Sequence, residues 1–221
     1  SITILLKRDV YCLRYALFQK NSDRYRVLLH LLLLLQALTL LFKSNMRCSS
    51  GDVANMSLGA TRGYSYLLET AVLALQRAGV LVVVAAGNDG AYIDINNYAT
   101  PACTDGTISV GATRRDNREA SFSNYGDCVN IMAPGFDIKS AWPTVPADPN
   151  YPVAGAGVAS DNAWALLSGT SMAAPFVAGA VARLLETSRT AAPEVIASLI
   201  LSKATTNAVT MVHGSASAGT Q

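Results

Sequence analysis

Turn-forming residues are divided unevenly along this chain, and the division limits what each part can fold into. All 16 glycines and all 8 prolines lie at or after Gly51. A compact α/β domain needs such residues between its helices and strands. Residues 1–50 have none and carry a charge of 8 − 2 = +6, whereas the remainder carries 9 − 13 = −4. We therefore predict an α/β domain over 51–210, a foreign helical or unstructured segment over 1–50, and a loose tail over 211–221.

A leucine-rich apolar run lies within the basic first segment. It begins at Val27 and ends at Phe42. As a helix it would measure roughly 24 Å, which is shorter than the ~20 residues that cross a bilayer comfortably. The residues that follow it make a poor cleavage site for a signal peptide. Three interpretations stay open: a spurious segment, a signal anchor or weak membrane helix, and a soluble helix.

From Gly51 onward, apolar patterns alternate between those of strands and those of helices. A short apolar segment covers 53–58 and is followed by Gly59, helical spacing covers 66–77, and a continuous valine-rich run covers 80–86. Continuous runs are typical of parallel strands buried on both faces. Strand, helix and strand in this order predict a mainly parallel sheet with helices on both sides. Further strands are predicted at 107–112, 129–132 and 138–142, and helices at 171–185 and 194–204. The small residues of 171–185 predict a helix packed on all sides.

A serine, Ser171, stands at the predicted start of the helix over 171–185. The free N–H groups and the dipole of a helix start favour negative charge. A tetrahedral acyl intermediate develops such charge beside an attacking serine, and the backbone N–H of Ser171 can stabilise it. The three residues Gly169-Thr170-Ser171 taken alone fit an ordinary helix N-cap equally well.

The longer sequence from Gly169 to Gly179 resembles the nucleophile motif of the subtilisin-like serine proteases. Segment 54–59 resembles the substrate-binding strand of that family, and segment 84–88 resembles the one that ends in its oxyanion-hole asparagine. The stretch 107–142 is most similar to the proteinase K branch. The resemblance covers about 52–205 and implies the C-terminal portion of a catalytic domain, an incomplete three-layer subtilisin-like α/β fold.

The resemblance implies a role for each matching residue. Ser171 would be the nucleophile and Asn88 the oxyanion donor of a serine endopeptidase that cleaves proteins or peptides through an acyl-enzyme. Residues 57–59 would pair with the substrate backbone as an added strand. Residues 85–87, which are small, would line a pocket for a sizeable apolar side chain. The substrate-binding positions are Ser57, Leu58, Gly59, Ala85, Ala86 and Gly87. The family usually has histidine at Phe176, but that histidine is not the general base.

The proteinase K branch also implies a calcium site, whose matching positions here are Asp105, Thr107 and Asn130. Asn130 offers a neutral oxygen where the family has a carboxylate. Calcium prefers charged oxygen ligands. We therefore expect weak calcium binding or none, and no required cofactor.

Cys103 and Cys128 each lie beside turn-forming residues. Such a pair indicates either a disulfide formed in an oxidising compartment or two unpaired thiols. The family implies an extracellular or secretory location, whereas the run from Val27 to Phe42 leaves membrane anchoring as an alternative. We expect a monomer. A net charge of +2 gives no indication of a nucleic-acid partner.

The partners that a serine nucleophile needs do not occur as motifs in these 221 residues. The family takes them from an Asp-Ser/Thr-Gly turn and a His-Gly-Thr-His helix. The two histidines here, His30 and His213, lie among leucines and in the tail, where structural or solvated roles are expected. We predict a truncated or misassembled protease without appreciable peptidase activity. The alternatives are a noncatalytic peptide-binding pseudoprotease and a membrane-anchored protein.

A subtilisin-like sheet without its earlier strands would also expose strand edges. The edges concerned are those of 53–58 and 80–86, which would lose neighbours. We expect such a product to be unstable or prone to aggregation unless residues 1–50 cover the exposed edge.

Overall fold

The computed structural model describes residues 2–5, 10–13, 51–59, 64–141, 164–188 and 190–213. A six-stranded sheet with the order β2-β1-β3-β4-β5-β6 forms the centre of this part of the chain. Neighbouring strands from β3 to β6 are parallel, and β1 is antiparallel to both of its neighbours. The mainly parallel sheet predicted from the sequence is confirmed. The strands are β1 (Ile2–Leu5), β2 (Val10–Leu13), β3 (Val53–Met56), β4 (Leu81–Ala85), β5 (Thr107–Thr113) and β6 (Ile131–Pro134).

Helices cover both faces of the sheet. Helix α1 (Tyr66–Arg77) connects β3 to β4 and packs on one face, while α2 (Thr170–Thr187) and α3 (Pro193–Ser202) pack on the other. Two further strands, β7 (Ile138–Ala141) and β8 (Trp164–Leu167), form an antiparallel pair just before α2. Helix α2 therefore starts directly after a strand and a two-residue connection.

Strand β4 lies at the centre of the hydrophobic core. All five of its residues are buried. Val82 and Val84 pack with α1, whereas Leu81, Val83 and Ala85 pack with α2 and α3. This burial on both faces is what a continuous valine-rich run predicts.

The N-terminal segment differs from the helical or unstructured one expected there, because residues 2–5 and 10–13 are strands. β1 pairs antiparallel with β3 over the whole of Val53–Met56. The backbone groups on that edge of β3 would otherwise lack partners, and a short apolar strand supplies them. The edge expected to be exposed at β3 is therefore covered, and β4 has β3 and β5 as neighbours.

The run from Val27 to Phe42 lies outside the described residues. Among the helices that the structure describes, none is long and apolar enough to cross a membrane.

The start of the C-terminal tail is held in place rather than loose. The buried carboxylate of Glu119 accepts hydrogen bonds from the backbone N–H groups of Val212, at 2.9 Å, and His213, at 3.2 Å. The His213 ring stacks on Tyr125 with 4.6 Å between ring centroids. The expectation of a loose tail is wrong for 211–213, because a buried carboxylate needs donors and this backbone provides them.

Helix α2 is not packed on all sides as its small residues predict. Its inner face meets the sheet and is buried. Its outer face is exposed, and the Phe176 side chain there is 51% exposed. Small residues permit close packing, but they do not require it on every side.

Candidate active site

A pocket with a cavity volume of about 110 Å³ lies between the carboxyl ends of β3 and β4 and the start of α2. Ligands of open α/β sheets bind at this end of the strands. The residues singled out from the sequence that line it are Leu58, Gly59, Ala85, Ala86, Gly87, Asn88 and Ser171. The lining residues that sequence reasoning missed are Asp89, Ala99, Thr100, Ala102, Asn124 and Thr170.

Ser171 lies in the first turn of α2 and is half-buried. The Ser57 hydroxyl donates a hydrogen bond to the Ser171 carbonyl oxygen at 2.9 Å. The Asn55 amide nitrogen in turn donates to Ser57 Oγ at 3.1 Å. Ser57 is thus a buried link between the end of β3 and the start of α2, and it is not among the pocket-lining residues.

The side chain of Asn88 is fixed by Thr170. Asn88 Oδ1 accepts hydrogen bonds from the Thr170 backbone N–H at 2.8 Å and from Thr170 Oγ1 at 2.9 Å. Thr170 Oγ1 accepts one from the Gly87 backbone N–H at 3.1 Å. The Asn88 amide nitrogen makes no hydrogen bond to another described residue, so its hydrogens can be offered to a ligand oxygen.

Thr170 could not be assigned this role from the sequence, although it lies within the motif that contains Ser171. Its partners are 82 and 83 residues away. Asn124, in the segment 121–126, is a second residue of this kind, because its side chain bonds to the turn that follows β4.

A general base for Ser171 is not found in the described part of the pocket. Asp89 is the only titratable residue among the lining residues that the structure describes. His213 does not line the pocket, and its Nδ1 lies 3.3 Å from Glu119 Oε2. His30 lies outside the described residues. The pocket therefore contains Ser171 and hydrogen-bond donors, but none of its described lining residues is a histidine.

Each of the three calcium candidates uses one of its oxygens in a hydrogen bond within the fold. The carbonyl of Asp105 accepts from Gln76 Nε2 at 2.8 Å, and Thr107 Oγ1 donates to the Thr104 carbonyl at 2.8 Å. Asn130 Oδ1 accepts from the Ser109 backbone N–H at 2.7 Å. No group of three or more histidine, cysteine or acidic side chains suited to a metal occurs among the described residues. The residues fit calcium poorly, and weak binding or none stays a prediction.

A disulfide joins Cys103 to Cys128, with their Cα atoms 4.9 Å apart. Both cysteines pack against the core cluster on the α1 side of the sheet, which includes Ala99 and Ala102. Those two alanines line the pocket, so the disulfide lies next to the segment 99–102 that forms one of its walls.

A family model described as the subtilase family of peptidases matches residues 38–219. The chain belongs to the subtilase family. It is 46% identical over 157 residues to an extracellular serine proteinase from Thermus sp., covering 71% of this chain and 33% of that protein. It is 43% identical over 148 residues to proteinase R from Parengyodontium album, and the match covers 67% of this chain and 33% of that protein. The second relative agrees with the resemblance to the proteinase K branch.

A solved structure, that of a cold-adapted subtilisin-like serine proteinase, superposes with a TM-score of 0.59 at 37% identity. The match covers 72% of this chain and 50% of that one. The incomplete subtilisin-like fold predicted from the sequence is confirmed. This subtilase chain spans about a third of the length of these two curated relatives.

Proposed function

We propose that this chain supplies the nucleophile, the oxyanion donor and the primary pocket of a subtilisin-like serine endopeptidase. The observation that carries the proposal is the convergence on one pocket of Ser171, Asn88 and the small residues 85–87. These residues come from the start of α2, from the turn after β4 and from the end of β4. The substrate class is a protein or peptide, with an apolar side chain entering the pocket.

The chemistry of the described atoms is that of acyl transfer. A substrate backbone would run along 57–59 as an added strand. Ser171 Oγ would attack the carbonyl carbon, and the electron pair of the broken π bond would move onto the carbonyl oxygen. Asn88 Nδ2 and the Ser171 backbone N–H would donate to that oxyanion. Losing one such donor costs about 10²–10³ in rate, a magnitude measured on subtilisin, which belongs to this family.

The proton of Ser171 Oγ needs an acceptor for this attack to be fast. In subtilisin itself, removing one member of the catalytic triad lowers the rate by about 10⁴–10⁶. The only described titratable side chain in the pocket is that of Asp89, and neither family motif for the base and its orienting carboxylate occurs in the 221 residues. We therefore propose that this polypeptide by itself has no appreciable peptidase activity.

Hydrolysis of a chromogenic peptide anilide with phenylalanine before the scissile bond tests this proposal. We expect the rate of the purified chain to equal that of its Ser171→Ala variant. A rate clearly above that of the variant, which keeps the oxyanion donor and the pocket, would show that a base reaches Ser171.

Noncatalytic peptide binding is a second candidate function. It is favoured by the presence of the pocket and of the adjoining residues 57–59 in a chain without a described base. Calorimetric titration of the Ser171→Ala variant with a phenylalanine-containing tetrapeptide tests it. The function is supported if the phenylalanine peptide binds saturably and an analogue with glutamate in place of phenylalanine does not. It is contradicted if both peptides bind equally or if neither binds.

We further propose that the protein is a monomer of an extracellular or secretory compartment. The Cys103–Cys128 disulfide suits an oxidising compartment, and one relative is named as extracellular. Recovery from a carbonate-washed membrane fraction would contradict this and favour anchoring through the run from Val27 to Phe42. Sedimentation equilibrium of the purified chain tests the monomer.

A further inference from the structure

We propose that Asn124 is a positioning residue that sets the conformation of the turn carrying Asn88 and thereby directs the oxyanion donor. The proposal rests on the function proposed above for that site. Asn124 belongs to the segment 121–126, and it is separated from the turn after β4 by more than thirty residues of sequence.

Asn124 bonds to the turn on both sides of Asn88. Its Oδ1 accepts hydrogen bonds from the backbone N–H groups of Asp89 and Ala91, each at 3.0 Å. Its Nδ2 donates to the Ala86 carbonyl at 3.0 Å. Its own backbone N–H donates to the Gly87 carbonyl at 3.0 Å. The residues just before and just after Asn88 are therefore both held by one side chain and its backbone.

The burial of Asn124 raises the energetic cost of losing these hydrogen bonds. Asn124 is 4% exposed, so groups that lose it as a partner gain no ready access to water. At neutral pH an amide combines an oxygen that can accept two bonds with an adjacent donor, which an ionised carboxylate does not. Aspartate keeps the acceptor but places a second oxygen against the Ala86 carbonyl. Alanine removes all three side-chain bonds.

Gly87 shows how closely the turn is fitted to Asn124. The backbone of Gly87 has a φ of 109°, and a Cβ placed there would lie 2.2 Å from Asn124 Nδ2. The amide thus fills the space that any larger residue before Asn88 would need. The turn and the Asn124 side chain are complementary in shape as well as in hydrogen bonding.

Asn124 is itself anchored to the sheet. Ser123 Oγ accepts from the Ala112 backbone N–H of β5 at 2.9 Å and donates to the Asn124 carbonyl at 3.0 Å. Asn88 is consequently held from two sides. Thr170 of α2 fixes its Oδ1, and Asn124, tied to β5, fixes its backbone.

Two variants of the full chain separate this role from general stability. Asn124→Ala deletes the three side-chain bonds, and Asn124→Asp deletes only the donor. Ile108→Val is the matched control, because Ile108 is a buried core residue of β5 outside the pocket. The measurements are the affinity for the peptide acetyl-Ala-Ala-Ala-Phe-amide, the side-chain amide resonances of Asn88, and hydrogen exchange of the Asp89 and Ala91 amides.

We expect Asn124→Ala to bind the peptide at least about tenfold more weakly, since a buried polar group without its partner costs that much or more. The Asn88 resonances should shift, and exchange at Asp89 and Ala91 should accelerate. Asn124→Asp should bind weakly at pH 8 and recover as the pH falls, because a protonated carboxyl can again donate to the Ala86 carbonyl. Ile108→Val should stay within about twofold of the parent affinity although it is less stable.

Unmoved Asn88 resonances together with affinities like that of Ile108→Val would overturn the proposal. If the parent chain itself does not bind the peptide, the proposed function fails, and the resonances and exchange rates still decide the role of Asn124. If Asn124→Ala does not fold, the pH dependence of the Asn124→Asp resonances decides it.

Discussion

The inner and outer faces of helix α2 carry residues of similar size in very different surroundings. The inner face packs on the sheet and is at most 5% exposed at each of Ala173, Ala174, Val177, Ala178 and Val181. The outer face is exposed at each of Pro175, Phe176, Gly179 and Ala180. In the part of the chain that the structure describes, Ser171 and Asn88 line one pocket while α2 is buried on its inner face only. The difference predicts that the oxyanion side of this site, where buried Thr170 bonds to Asn88, is sensitive to changes on the inner face and insensitive to changes on the outer face.

The largest expected effect comes from placing the same charge on each face. Val181→Asp puts a carboxylate into the core without a partner and should cost about 3–5 kcal/mol or prevent folding. Ala180→Asp, one residue earlier and exposed, should change the free energy of unfolding by no more than about 0.5 kcal/mol. Urea unfolding of the two variants measures the difference. Equal losses would show that the outer face is packed.

Two glycines allow a second comparison. Gly87 has a φ of 109° beside Asn124, and we expect Gly87→Ala to cost about 1–3 kcal/mol because its backbone suits glycine and the added Cβ has no room. A Cβ at Gly179, on the outer face, would meet nothing within 4 Å. Gly179→Ala should therefore stabilise the chain by about 0.5–1 kcal/mol. Opposite signs in denaturant unfolding support the account, and a destabilising Gly179→Ala contradicts it.

Thr170 provides a third test at the start of α2. Thr170→Val keeps the shape but removes the hydroxyl that bonds to Asn88 and Gly87, so we expect a loss of about 1–3 kcal/mol in the free energy of unfolding. Thr187→Val at the exposed end of the helix is the control. Its hydroxyl donates to the Leu184 carbonyl at 3.0 Å in an exposed setting. A Thr170→Val loss no greater than that of the control would show that the link to Asn88 is weak.

The smallest effect concerns Tyr98, next to the pocket residue Ala99. Burial, and then the hydrogen bond to Glu69, raise the pKa of Tyr98 to about 12. Its neutral form therefore stabilises the fold fully below pH 10, the ordinary pKa of tyrosine, and this contribution is lost as the pH rises towards 12. In an ultraviolet titration, the Tyr98→Phe variant should lack one tyrosine transition near pH 12 that the parent chain shows. Loss of a transition near pH 10 would contradict the part-buried hydrogen bond to Glu69.

Much of the fold follows from local patterns. The valine run of β4 and the helical spacing of α1 each predict their element, because burial and backbone geometry act over a few residues. The locations of Ser171 and Asn88 could be predicted as well, since each lies in a continuous motif. The structure brings both to one pocket.

Contacts between distant segments could not be predicted in this way. The sequence gives no sign that Thr170 holds Asn88, that Asn124 holds the turn around it, or that Glu119 holds the backbone of 212–213. These bonds depend on tertiary placement and not on spacing along the chain. The strands at 2–5 and 10–13 were missed for a related reason. The first of them pairs with β3, which is about fifty residues away in the sequence, and the second pairs with the first.

The rate at which a fluorophosphonate probe labels Ser171 tests the central claim most directly. The probe reacts with the serine hydroxyl alone, so the result depends on its activation and its oxyanion donors and not on peptide recognition. We predict that intact mass spectrometry of the chain will show labelling no faster than that of a free serine, and none in the Ser171→Ala control. Labelling at the rate of an ordinary serine protease would contradict the claim that no base reaches Ser171.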